Sequence, residues 1–183
     1  MRRALRAHPA TDRGAVVRIE ADIRRRRPRT VVLAYELAGD PGKLRIPARA
    51  PPMRADGLWR RTCFEAFLML EDGGYLELNL SPSGRWAAYR FEGYRAGMAP
   101  LEPFPAPKIA FARTAEGLTL NAALELPELP GLSDNGPWRL GLAAVIEDAD
   151  GNIGYWALAH PPGKPDFHHA DSFACEVRAP EAP

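Results

Sequence analysis

The chain has 183 residues, of which 46% are hydrophobic and 26% charged, with a formal net charge of +1. This length suits one domain with a substantial core, and the composition excludes disordered, collagen-like and disulfide-scaffold classes. The near-neutral balance gives no general attraction to nucleic acid or to anionic lipid. The first residues, Met1-Arg2-Arg3-Ala4-Leu5-Arg6-Ala7-His8-Pro9, carry positive charge with no apolar run behind them. No secretory leader is therefore expected, and the setting reads as cytoplasmic. No stretch approaches the roughly 18 uninterrupted apolar residues of a membrane helix, so no membrane partner is expected.

Strand-like alternation begins at 17–24, where Val17, Ile19, Ala21 and Ile23 alternate with Arg18, Glu20, Asp22 and Arg24. A period of two places one face in a core and the other toward water. The basic run Arg24-Arg25-Arg26-Arg27-Pro28-Arg29 falls at a turn and has no interleaved aromatics, so it reads as a solvated hairpin end rather than a nucleic-acid patch. Segments 31–37 and 63–70 are more evenly apolar, as central strands covered on both faces would be. Pro-rich 46–53 and 100–107 read as loops crossing between sheets. Ser81-Pro82-Ser83-Gly84 fits a three-residue hairpin loop with glycine in the left-handed position. If Ser81 faces Arg85, then Asn79 faces Ala87 and Glu77 faces Tyr89, with Leu78 and Leu80 on the other face beside Ala88 and Trp86. A short helical turn is expected at 92–98. Alternation returns at 118–126, at Trp138, Leu140, Leu142, Ala144 and Ile146, and at Phe173, Cys175 and Val177. Many short strands divided by Gly/Pro turns define an all-β chain, an antiparallel, jelly-roll-like β-sandwich forming one domain over residues 1–183. Cys63 and Cys175 each lie in an apolar run and read as reduced, buried thiols.

Three groups of residues could carry chemistry. The first is the polar set Glu65, Glu77, Asn79, Tyr89 and Arg90 on the central sheet. Glu65 is the only charge in 63–70, and a carboxylate there must be exposed, paired or protonated. Glu77 and Asn79 are ordinary outward residues unless loops roof that face. The second is the segment 155–171, which holds three of the four histidines between prolines, including His160 and His168. Rigid loops on a stiff scaffold concentrate binding groups. Its histidines lack HxH or HExxH spacing and no CxxC accompanies them, so no metal site is assigned. The third is aromatic: Trp59 follows a Pro/Gly loop, and Trp156 opens the histidine segment, so either could stack on a planar ligand. No GxSxG, GxxxxGK[ST] or GxGxxG motif is present.

The blocks Leu58-Trp59-Arg60-Arg61-Thr62-Cys63-Phe64-Glu65-Ala66-Phe67 and Tyr75-Leu76-Glu77-Leu78-Asn79-Leu80-Ser81-Pro82-Ser83-Gly84-Arg85-Trp86-Ala87-Ala88-Tyr89 resemble a bacterial DOMON-like family. So does the later run Trp156-Ala157-Leu158-Ala159-His160-Pro161-Pro162-Gly163-Lys164-Pro165-Asp166-Phe167-His168. That family is similar to family-9 carbohydrate-binding modules and to haem- or sugar-binding DOMON domains. The resemblance implies an antiparallel β-sandwich that binds a ligand without transforming it. It leaves haem as an alternative to sugar, with Met69 or Met98 and a loop histidine as chemically suitable axial ligands.

The expectation is a non-catalytic domain binding a carbohydrate or sugar-like small molecule. Trp59 and Trp156 would offer stacking surface, while Glu65, Arg90, His160 and His168 would direct hydrogen bonds. The enzyme-class alternative is a small hydrolase or lyase using Glu65 and His168 as acid and base. A homo-oligomer is compatible with this reading.

Overall fold

The computed structural model describes residues 2–180. Twelve strands make up the architecture, in chain order β1 (Arg3–Ala7), β2 (Val16–Arg25), β3 (Thr30–Gly39), β4 (Cys63–Met69), β5 (Tyr75–Leu80), β6 (Trp86–Phe91), β7 (Ala99–Pro100), β8 (Lys108–Arg113), β9 (Gly117–Glu125), β10 (Trp138–Glu147), β11 (Ile153–Ala157) and β12 (Cys175–Val177). They hydrogen-bond in the order β7-β6-β5-β4-β10-β11-β1-β2-β3-β9-β8, and β12 adds to β10 beside this path. All strand pairings are antiparallel.

Strand β1 turns this ribbon into a sandwich. Its first residues pair with β2, Leu5 opposite Ile19, while Arg6 and Ala7 pair with Ala157 and Trp156 of β11. One five-residue strand thus belongs to both sheets. The main core fills the space between them. Ile19, Leu33, Leu37, Leu118 and Leu120 come from one sheet, and Phe64, Leu76, Leu80, Leu142 and Trp156 from the other. Each such side chain contributes about 1.5–3 kcal/mol when removed from water. Tyr35 packs against Phe64 across the gap at 5.0 Å and donates its hydroxyl to the Glu65 carbonyl at 2.7 Å.

The hairpin register expected from Ser81 is present: Asn79 opposes Ala87, Glu77 opposes Tyr89, and Leu80 opposes Trp86. Gly84 takes the left-handed conformation at φ 92° and its N–H donates to the Ser81 carbonyl. Strand β4 is buried on both faces, and the two Pro-rich stretches cross between the sheets.

Four expectations change. Val17 is 75% exposed because an irregularity between Val16 and Arg18 hands its core position to Val16. Strand β3 alternates rather than being covered on both faces, since its outer side chains remain partly open. Residues 92–98 form a tight turn closed by Gly93 and Ala96, not a helical turn, with Arg95 at φ 53°. Phe173 lies outside β12 and packs on the opposite face from Cys175. The basic run is a hairpin end, but Arg25 is buried: its guanidinium lies 3.6 Å from the Trp138 ring centroid and donates to the carbonyls of Pro28, Ser133, Asp134 and Gly136. Both cysteines are free and buried. Among the described residues no helix is long and apolar enough to cross a membrane.

Candidate functional site

The sheet that holds β4, β5, β6, β10 and β11 is buried on its outer face as well. Because opposed residues share a face, one row across it reads Ala87, Asn79, Glu65, Ala143, Ala157. The next row carries Tyr89, Glu77 and Phe67. Three alanines therefore leave space above Glu65, while larger side chains rise beside it. Residues 158–174 fold back over this face and anchor it with Phe167 and Phe173, which meet Phe67 edge-on at 6.3 Å each.

The space left under that segment is a cavity of about 530 Å³, within the range of small-molecule sites. Its apolar wall comprises Trp59, Phe91, Met98, Val145, Tyr155 and Phe167, and its polar groups are Glu65, Glu77, Arg95, Lys164 and His168. Trp59 is delivered by a short 3-10 turn, Leu58–Arg60, that starts at left-handed Gly57 (φ 72°). Its ring stands edge-on to Tyr89 at 5.8 Å.

Hydrogen bonds define the protonation of the floor. The Arg95 backbone N–H donates to the Tyr75 hydroxyl at 3.2 Å, and that hydroxyl lies 2.8 Å from His168 Nδ1. We assign Tyr75 as the donor to Nδ1, which puts the His168 proton on Nε2, facing Glu77 Oε2 at 3.8 Å. Burial, reinforced by the Arg95 charge, lowers the His168 pKa to about 4, so the ring is neutral at physiological pH. Asn79 Nδ2 donates to Glu77 Oε1 at 2.6 Å. Burial raises the Glu77 pKa, an effect the Asn79 bond opposes. Burial and then the Glu77 charge push Glu65 well above the usual carboxylate range. Glu65 is 2% exposed, and its Oε1 has no hydrogen-bond partner among the described residues. Asp166 braces the covering segment by accepting from Arg95 at 2.8 Å, from the His168 N–H at 3.0 Å and from the Tyr94 hydroxyl.

Of the residues singled out in the sequence, Trp59, Glu65 and His168 meet at this cavity. Three others do not. Arg90 shares the alternation of Ala88, which points its side chain to the other side of the sheet, where it pairs with Asp72 at 2.6 Å. Trp156 is 3% exposed in the core between the sheets, because Tyr155 takes the outward position in β11. His160 donates to the Arg6 carbonyl at 2.8 Å, stands edge-on to His8 and packs behind Phe167, without lining the cavity itself. Arg95 and Phe91 were not anticipated, and Tyr155 and Lys164 were covered only as part of segment 155–171. Only the alternation in β11 pointed to Tyr155, and nothing local to 92–98 pointed to Arg95.

His168, the histidine at the cavity, is not placed to ligate haem. His168 Nδ1 is taken by Tyr75, Nε2 faces Glu77, and the ring is wedged between Phe67 and Phe91 with centroids 5.2 Å away on each side. An iron on Nε2 would have to displace the Glu77 carboxyl. Among the described residues no group of three or more His, Cys, Asp or Glu side chains is arranged to hold a metal ion.

No protein-family model matches this chain, and neither does any curated protein. Solved structures do. A protein from Bacteroides uniformis, described as a candidate carbohydrate-binding protein, matches with a TM-score of 0.67 and 14% identity over 98% of this chain and 86% of that one. A family-9 carbohydrate-binding module from Caldicellulosiruptor kristjanssonii, solved with glucose and with cellotriose, matches with a TM-score of 0.58 and 14% identity. Those alignments cover 100% of this chain and 85% and 84% of the module chains. At this identity the likeness establishes the fold, the β-sandwich of such modules.

Proposed function

We propose that residues 1–183 act as one non-catalytic domain that binds a carbohydrate or sugar-like small molecule in the cavity over Glu65. The observation that carries this reading is a buried carboxyl with an unpartnered oxygen at the floor of a cavity walled by Trp59, Phe91 and Tyr155. A sugar ring presents apolar C–H faces to aromatic rings and hydroxyls that both donate and accept, which is what Glu65, Glu77 and His168 require. The fold shared with glucose- and cellotriose-bound modules supports the same class. The resemblance to DOMON-like proteins agrees with it.

The acid–base alternative fares less well. Glu65 and His168 share the cavity, but the basic lone pair of His168 is engaged by Tyr75 and its Nε2 carries the proton. No base lies opposite a Glu65 acid in that arrangement. Titration calorimetry against glucose, cello-oligosaccharides and a wider monosaccharide panel tests the proposal. At least one sugar should bind, and Trp59→Ala should weaken it by about tenfold, equivalent to ~1.4 kcal/mol. Failure of every sugar to bind would remove the assignment.

A further inference from the structure

The floor of the cavity holds two carboxyls where one would suffice to orient a hydroxyl. Glu65 opposes Asn79 and Glu77 opposes Phe67, which makes the two acids diagonal neighbours on adjacent strands of one face. They are 2% and 4% exposed and both line the cavity. Among the described residues neither has a Lys or Arg nitrogen at ion-pair distance; Glu77 accepts from Asn79 Nδ2 and faces the neutral His168 ring, and Glu65 Oε1 has no hydrogen-bond partner. The other ionisable groups around them do not compensate. Cys63 and Tyr35, both buried, lie beside Glu65, and Tyr75 and Tyr89 lie beside Glu77. The charge of Arg95 reaches Glu77, but its guanidinium is held by Asp166 at 2.8 Å. Lys164 is exposed at the rim.

We propose that the ligand is an amino sugar, a sugar-sized ring whose protonated amine sits between Glu65 and Glu77. This rests on the carbohydrate reading of the cavity and narrows it. An ammonium has three donors and no acceptor, so it complements two acceptor-rich carboxylates better than any hydroxyl can. Buried charges persist in proteins when they are paired, and here the missing partner is a cation. The aromatic wall favours the same ligand, because ring faces attract positive charge. In the free protein Glu65 keeps its proton; an arriving ammonium favours the ionised form, and the displaced proton passes to the buffer. Binding and proton release are therefore one event.

The test is calorimetry with glucose, glucosamine and cyclohexylamine, the last a ring-sized amine without sugar hydroxyls. It is run in slightly acidic buffers of different ionisation enthalpy, so that proton release is read directly. Glucosamine is expected to bind about tenfold more tightly than glucose and to release protons. The preference for glucosamine should disappear in Glu65→Gln and in Glu77→Gln, and proton release should disappear in Glu65→Gln, with thermal melts confirming that each variant is folded. Equal binding of glucose and glucosamine without proton release would overturn the amine assignment and leave the sugar reading standing. Binding of cyclohexylamine with proton release, and of no sugar, would do the reverse. Binding of none of the three would overturn both.

Discussion

Glu65 is a buried acid at the floor of the candidate site. Its protonated form is the one the fold prefers, because burial and the neighbouring Glu77 both oppose its charge. A folded-state pKa raised above the unfolded one means that the native state binds the extra proton. Stability is then highest below the ordinary carboxylate range and declines as pH rises toward neutrality. Glu65→Gln cannot ionise and should be more stable than the parent at neutral pH by about 1–3 kcal/mol, an increase of ~2–4 °C in melting temperature per kcal/mol. The gain should shrink as pH is lowered through the carboxylate range, which a series of thermal melts would read; a pH-independent or negative difference would contradict the buried-acid account. His168 has the opposite sign. Its folded pKa of about 4 lies below that of a free histidine, so its contribution is complete near neutral pH and is lost on acidification toward pH 4. His168→Gln should flatten that acid limb. Sequence reading identified both residues by the oddity of a charge in an apolar strand and of histidines among prolines. It grouped Arg90 and Trp156 with them, although the same two-residue alternation that places Glu77 and Tyr89 on one face places Arg90 beside Ala88 and Trp156 beside Ala144 on the other.

At the level of elements, the site exists because residues 158–174 cover a sheet face that would otherwise be wet. Phe167, 8% exposed against Phe67, is the main apolar anchor of that cover, and Ser172 holds it by donating to the Asp166 carbonyl at 2.9 Å. Phe167→Ala is expected to cost about 3–5 kcal/mol if the gap stays open. Hydrogen exchange should then show faster opening across 158–174 while β2, β3 and β9 remain protected. Unchanged protection of the segment would mean that other contacts hold it. The strands themselves were readable, because alternation and the Ser81-to-Gly84 turn encode both face and register. The Val16–Val17 irregularity was not, since two adjacent valines satisfy the pattern equally well. Neither was the packing of the covering segment, which depends on rings of distant strands rather than on anything adjacent in the chain. Glu77 and Asn79 changed from surface residues to floor residues for that reason alone.

Across the whole molecule, the two sheets share one core and the site lies outside it, behind the second sheet. Substitutions in the cavity and in the core should therefore separate cleanly. Leu5→Ala, at the strand common to both sheets, is expected to lose about 2–5 kcal/mol without changing the cavity residues. Unfolding should stay a single transition, with tryptophan fluorescence and circular dichroism giving the same urea midpoint. Two separated midpoints would show that the sheets unfold independently.

The dual pairing of β1 also bears on how the chain is made. Arg6 and Ala7 find their partners only at Ala157 and Trp156. At ribosomal speeds of about 5–20 residues per second, the amino-terminal strand waits roughly 7–30 s for that seam to emerge. Within that interval β2 and β3 can pair locally, and β4 and β5 supply part of the opposite wall well before the seam between the sheets can close. Residues 153–174 thus supply both the closing seam and the roof of the cavity, after strands of both sheets have already been made.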